Sequence, residues 1–366
     1  MNRLVKFSAI LLLGVAWRAG AGGNSNFEVL ANLDQGPGNV TVTQEGRIIM
    51  SLHQFYAPEF SVVEVQPNHA LTPFPSPALS AFISRSALKL DSVLGIRSDK
   101  NGIVWMLDNG MRGKATPKLV GWNSRTDRLH RVIYLPLPLT GEHAFVNDFV
   151  VDLRHQHIYI SDPAGGSDAA LIVVNITTGS ARRVLQGHPS VLPENVDLII
   201  DGKPVQVREA SGRLVRPHIG VNPITEDLNN EWVYYGPMHG HGLYRIKAAD
   251  LTDESLDAQT LAKRVERYSD KPISDGITID QANNIYLGEL AENAIGVIAP
   301  DRTYRRLAQC PRLSWVDSFS FGPEGRLYAV VNRLHQSAVL NGGESASKLP
   351  YYLLQVKPLA PGLPGR

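Results

Sequence analysis

The chain has 366 residues, 43% of them hydrophobic, with 36 Lys and Arg against 35 Asp and Glu and a formal net charge of +1. That length carries two ordinary domains or one large repeat unit, and the balanced charge offers neither a basic field for nucleic acid nor an acidic solvating tail. The single cysteine, Cys310, cannot form an internal disulfide, so stability must come from the core.

Arg3 and Lys6 precede an apolar run over residues 7–17, and Ala19-Gly20-Ala21 has the small-x-small pattern of a signal-peptidase site. Residues 1–21 are therefore expected to be a secretory signal, and the protein secreted or periplasmic, with no membrane association after cleavage. The run is short of the roughly 20 apolar residues that a spanning helix needs.

Residues 27–30 alternate as a strand with no hairpin partner nearby. A first hairpin follows, with strands 38–43 and 48–53, and a Pro-rich segment, 67–77, reads as an irregular connection. The second hairpin, 94–99 with 103–110, continues into strands 118–123 and 130–135, and four strands joined by turns make one antiparallel blade. A third copy opens at Asn147 and runs through 149–151 and 158–162, then 170–174 and 181–185. Between 189 and 217 lies an insertion with a small hairpin, 197–205, on the Asp201-Gly202 turn. The fourth copy is looser, with strands 219–223, 231–236 and 242–246 and a helical stretch 255–264.

The fifth copy is 275–280, 285–289, 294–298 and 305–308; the sixth is 317–321, 326–332 and 351–356, with no fourth strand left. The unpaired N-terminal strand fills that vacancy. The expected fold is all-β: a six-bladed β-propeller over residues 24–358, its last blade closed by the N-terminal strand. A β-sandwich suits this hairpin spacing less well.

In an antiparallel hairpin the start of the first strand and the end of the second share an edge. The first strands open on Gly38, Leu94, Asn147, about Ile219, Asp275 and Asp317; the second strands end near His53, Asp108, Asp162, His239, Glu289 and Asn332. Both sets should converge on one mouth of the central channel. His53, Asp108, Asn109, Asp162, His239, Glu289, Asp317 and Asn332 are thus candidate ligand-binding residues. Hard oxygen donors there suit a divalent cation, Ca or Mg, with Asn147 and Asp275 as its leading ligands. The competing reading is that Asp and Asn at strand starts cap free backbone groups. Asp275 or Glu289 could serve as the base of a metal-assisted hydrolysis. His239 and His241 lie one residue apart, but no third ligand is near in sequence, which favours a structural or channel-lining role over zinc. No phosphate-binding loop or Gly-x-Ser-x-Gly elbow is present, and neither a nucleotide nor a flavin cofactor is expected.

Residues 105–110 (WMLDNG), 159–163 (YISDP), 171–174 (LIVV), Trp315-Val316-Asp317 and 331–334 (VNRL) together resemble the major royal jelly protein/yellow family over nearly the whole mature chain. The resemblance implies a secreted six-bladed propeller. Its members range from royal jelly and pigmentation proteins to salivary amine binders and proteins named for dopachrome tautomerase activity, so membership does not settle a reaction. Lacking the cysteines of the insect members, this chain looks like a bacterial relative.

More distantly it is similar to gluconolactonase/senescence marker protein propellers, whose channel metal is held by a Glu, an Asn and an Asp at inner-strand openings. That similarity implies Asn147 and Asp275 for the last two and puts Gly38, with no side chain to donate, at the first. The expected function is binding of a small molecule, with a divalent metal, at one channel mouth. The alternative is a metal-dependent lactone or ester hydrolase, or a dopachrome tautomerase-like isomerase.

Overall fold

The inner strands of the repeats are buried along almost their whole length on both faces, a pattern that requires a sheet covered on both sides. Six four-stranded antiparallel sheets meet that requirement by packing face to face around a central axis. The computed structural model describes residues 26–112 and 114–366, and the expected signal over 1–21 lies outside them. A separate apolar cluster fills each gap between neighbouring blades. Trp105 and Leu119 meet Phe149 and Ile160 between the second and third, and Tyr286 and Val297 meet Phe319 and Leu354 between the fifth and sixth.

Five blades run outward from the axis in chain order, and the sixth does so except for its outermost strand, which is the first of the chain. The first contains Pro37–Val42, Ile48–Leu52, Val62–Val65 and Leu71–Pro73, so the Pro-rich segment is not wholly irregular. Pro73 is tolerated because it lies on an edge strand, where no further ladder partner needs its missing N–H. In the fourth blade, Val221–Glu226, Trp232–Pro237 and Gly242–Lys247 are joined by an outer strand, Glu266–Asp270, that the sequence reading lacked. Its polar, partly exposed residues carry no apolar alternation to betray it. The expected helical stretch, 255–264, contains one short helix, Ala258–Ala262, and another, Ala248–Thr252, precedes it.

The last blade, Val316–Phe321, Leu327–Val331 and Tyr351–Val356, is completed by Phe27–Leu33, which pairs antiparallel from Phe27 opposite Val356 to Leu33 opposite Tyr351. At the other end of the inner strands a recurring polar clamp holds the turns. Asp99, Asp152 and Asp280 accept from turn N–H groups, and each also binds an aromatic of the next strand: Trp105 Nε1 at 3.0 Å, Tyr159 OH at 2.9 Å and Tyr286 OH at 2.8 Å.

Two additions close the ends of the channel. Over one mouth, the insertion forms the expected hairpin, Ile199–Ile200 with Lys203–Pro204, and a second, Val207–Arg208 with Leu214–Val215. It meets the loop after the sixth blade's second strand through Gln206 N–H to Leu340 O (3.1 Å) and Gly342 N–H to Gln206 O (2.8 Å).

At the opposite mouth, residues 357–366 cross several blades. Gln281 N–H donates to Pro361 O (2.9 Å) and Gly365 N–H to Phe321 O (2.8 Å). Gly365 has φ +88°, and a Cβ there would lie 2.0 Å from the Ser98 carbonyl oxygen. Arg366 ends the segment by pairing with buried Glu226 at 3.2 Å. Glu226 is held well above the usual carboxylate range, by burial first and then by Asp152, while Arg366 opposes the shift. Removing the guanidinium from a buried carboxylate is destabilising. Arg366→Ala should therefore lower the unfolding free energy at pH 7.5 by about 3 kcal/mol, read as a shift of the urea midpoint; an unchanged midpoint would show that the pair contributes nothing.

Candidate functional site

Register irregularities sit at the channel end of the inner strands of four blades, between Pro37 and Val40, Val93 and Ile96, Val221 and Ile224, and Val316 and Ser318. Such bulges re-aim side chains. They help turn the strand openings toward a cavity of about 260 Å³ at the mouth beneath the roof. Its floor is polar, with Asn39, His53, Asn147, Asn222, Asp275 and Asp317, whereas Phe55, Phe145, Val207, Ile219, Leu334 and Leu340 make much of its wall.

The floor is a chain of side-chain contacts. The Asn147 amide donates to Asn222 Oδ1, and the Asn222 amide donates to Asp275 Oδ1. Trp315 Nε1 reaches Asp275 Oδ2 at 2.7 Å. Asn332 Nδ2 donates to Asp317 and, at 3.0 Å, to Pro37 O. Deeper in the channel the Arg97 guanidinium bonds Asn39 Oδ1 at 2.8 Å and Asp148 Oδ2 at 3.0 Å.

The charge of Asp148 is therefore compensated. Among the described residues, Asp275 and Asp317 have neutral hydrogen-bond donors but no direct cationic partner. Lys271 bears on Asp275 only through space, its Nζ being committed to Gly240 O (3.0 Å) and Pro272 O (3.1 Å). Burial pushes both carboxyls up, and Asp148 adds repulsion at each; Asp317 also feels Asp275. Burial likewise drives Lys271 down to about 7, with Glu194 and Asp275 opposing.

His53 is kept neutral by burial, its pKa about 3. Its Nδ1 accepts Phe55 N–H at 3.2 Å, which places the ring proton on Nε2. His239 is also held down, to about 4, by burial first and then by His218 and Lys271.

Asn147, Asp275, Asp317 and His53 do line the cavity, with Asn332 bracing Asp317 from behind. The remaining candidates are committed elsewhere. Asp108 pairs with Lys118 at 2.6 Å and accepts the N–H groups of Asp91, Ser92 and Gly110. Asn109 binds Ser92 and Met111. Asp162 pairs with Arg183 at 2.6 Å and caps Phe145 and Ala164. Glu289 is held by Arg306 and Tyr304, both at 2.6 Å.

A second strand lies one ladder spacing, about 4.8 Å, farther from the axis than the first, so its terminal side chain is free to brace its own blade. His239 Nδ1 accepts Ile219 N–H (3.1 Å), and His241 turns to Lys271 O (3.2 Å), so the two do not form a pair. Asn222, Trp315 and the Arg97–Asp148 pair were absent from the sequence candidates. Asn222 could have been found, because Val221-Asn222 repeats Val146-Asn147; the bulge after Val221 displaces the apparent strand opening to Ile219.

Among the described residues no group of three or more His, Cys, Asp or Glu side chains is arranged to hold a metal. Beside His53, whose Nδ1 is taken by Phe55 N–H, the floor combines two carboxylates with amide oxygens, oxygen donors that fit a hard divalent cation rather than a thiophilic one. Fold and site together define a six-bladed propeller with an acidic, apolar-roofed channel mouth. The family model for the major royal jelly protein matches residues 91–345, and the chain belongs to that family. No curated protein sequence matches it.

Among solved structures it is similar to a gluconolactonase from Xanthomonas campestris (10% identity, TM-score 0.53, covering 90% of this chain and 89% of that one). It is also similar to a luciferin-regenerating enzyme (12% identity, TM-score 0.54, covering 93% and 97%). At such identities the likeness is one of fold.

A carboxyl whose folded pKa is raised stabilises the fold fully below its unfolded pKa, and that contribution is lost as pH rises through the folded value. In metal-free buffer, Asp275→Asn should therefore gain on the wild type as pH is raised from about 4 to neutrality, by at least about 1 kcal/mol. Urea titrations across that window would check it, and a difference that does not change with pH would contradict the assigned environment.

Proposed function

We propose that this chain is an exported propeller that binds a small molecule in the roofed mouth, with a Ca- or Mg-type cation held by Asn147, Asn222, Asp275 and Asp317. The observation that carries the reading is the floor itself, where a buried carboxylate, Asp275, and a half-buried one, Asp317, face one cavity without a cationic side chain of their own. Such a pair is destabilising unless it shares a proton or takes up a cation. Amide oxygens and carboxylates then orient the ligand's polar groups, and the roof excludes water from its apolar part. Export rests on the signal-like pattern of residues 1–21, and the even charge gives no support to a nucleic-acid partner.

The alternative, hydrolysis of a lactone or ester, is favoured by one further feature. With Glu289 tied to Arg306, Asp275 and Asp317 are the carboxylates left at the cavity to act as base. A bound cation would polarise the carbonyl or lower the pKa of water. The protein's part would be to hold the ring against the roof, take a proton from water on a floor carboxylate, and return it to the leaving oxygen, so that lactone plus water gives one hydroxy acid. Calorimetric titration with aromatic amines, sugars and lactones, with and without Ca²⁺, tests the binding reading. Asn147→Ala and Asp275→Ala should each weaken the best ligand at least about tenfold, and unchanged affinity in both would remove the site from the mouth. Turnover of a lactone that chelation abolishes would select the hydrolase form.

A further inference from the structure

The channel contains a second chamber. Arg97 is shared by its wall and by the hydrogen-bond network under the mouth: its guanidinium holds Asn39 and Asp148, and its side chain also lines a cavity of about 290 Å³ toward the opposite end. We propose that this distal chamber is a binding site for a small organic anion, a carboxylate carried on a single apolar ring.

Its sides are apolar, formed by Val150, Val151 and Leu153 of the third blade, Leu228 of the fourth, and Leu363 and Pro364 of the crossing segment. Four cationic side chains line it, Arg97, Lys100, Arg154 and Arg366, against one carboxylate, Asp99. Two of the four are compensated from behind, Arg97 by Asp148 at 3.0 Å and Arg366 by Glu226 at 3.2 Å. That leaves Lys100 and Arg154, which have no ion pair of their own among the described residues. Asp99 is in any case occupied, by Asn101 N–H, Ile103 N–H and Trp105 Nε1.

Arg154 is anchored by Nη1 to Asn229 O at 2.9 Å. A guanidinium fixed at one nitrogen retains further N–H donors for a carboxylate, and the ammonium of Lys100 supplies a second, adaptable charge. The chamber is at the small end of the range for ligand sites, which limits the apolar body to about one ring. The cations of Lys100 and Arg154 beside the apolar sides give the site its selectivity for an anion with an apolar body. This inference does not depend on the metal or ligand assigned to the mouth.

Benzoate, benzyl alcohol and inorganic phosphate are the probes, titrated calorimetrically into the full chain at low and high salt. Benzoate should bind, benzyl alcohol and phosphate at least about tenfold more weakly, and added salt should weaken benzoate. The double variant Lys100→Ala, Arg154→Ala should lose at least about tenfold in benzoate affinity. Both residues are exposed, and an unchanged melting temperature confirms that the variant folds. Lys100→Arg with Arg154→Lys should retain binding. No benzoate binding at about 10 mM, equal binding of phosphate, or binding that survives the double alanine variant would overturn the proposal.

Discussion

A sheet that buries both faces cannot stand at the end of a row, and this constraint governs the molecule. Closing six such sheets into a ring covers all twelve faces. The closure depends on one pairing across the whole chain, Phe27–Leu33 against Tyr351–Val356. The ring also sets the chemistry of its axis. Inner strands that start at one mouth bring their opening residues together from blades far apart in sequence, and the packed sheets exclude water from them. The polar openings Asp148 and Asp275 are buried, and Asp317 half-buried, for this reason.

What distinguishes the two ends of the channel is compensation. Arg97 neutralises Asp148 and leaves the mouth above it with two carboxylates held only by neutral donors. Beyond Arg97 the balance reverses, and the distal end carries cations. The roof over the mouth comes from segments between strands rather than from the blades, an arrangement in which ligand preference can change while the ring is preserved.

Much of the ring was legible because its signal is local and repeated. Alternating hairpins with turn residues at fixed positions recur in the second, third, fifth and sixth copies, and a missing last strand pointed to the unpaired first one. The outer strands Leu71–Pro73 and Glu266–Asp270 were not legible, since an edge strand with a proline or a polar face loses the alternation that marks a strand. At the site, Asn147, Asp275 and Asp317 could be read because they open inner strands. Asp108, Asp162 and Glu289 have the same chemistry and share the same edge, yet they brace their own blades, and radial distance from an axis leaves no mark in sequence. The Arg97–Asp148 pair joins residues 51 apart, and its partnership is a property of the closed ring alone.

The central claim is that the uncompensated floor takes a cation. Crystals of the protein soaked in Mn²⁺, a redox-stable stand-in for a hard divalent ion, and measured for anomalous scattering would test it most directly. An anomalous peak within coordination distance of the side-chain oxygens of Asp275 and of Asn147 or Asn222 is the result the acidic floor predicts. A fully ordered floor with no peak there, in crystals that bind Mn²⁺ elsewhere, would contradict it.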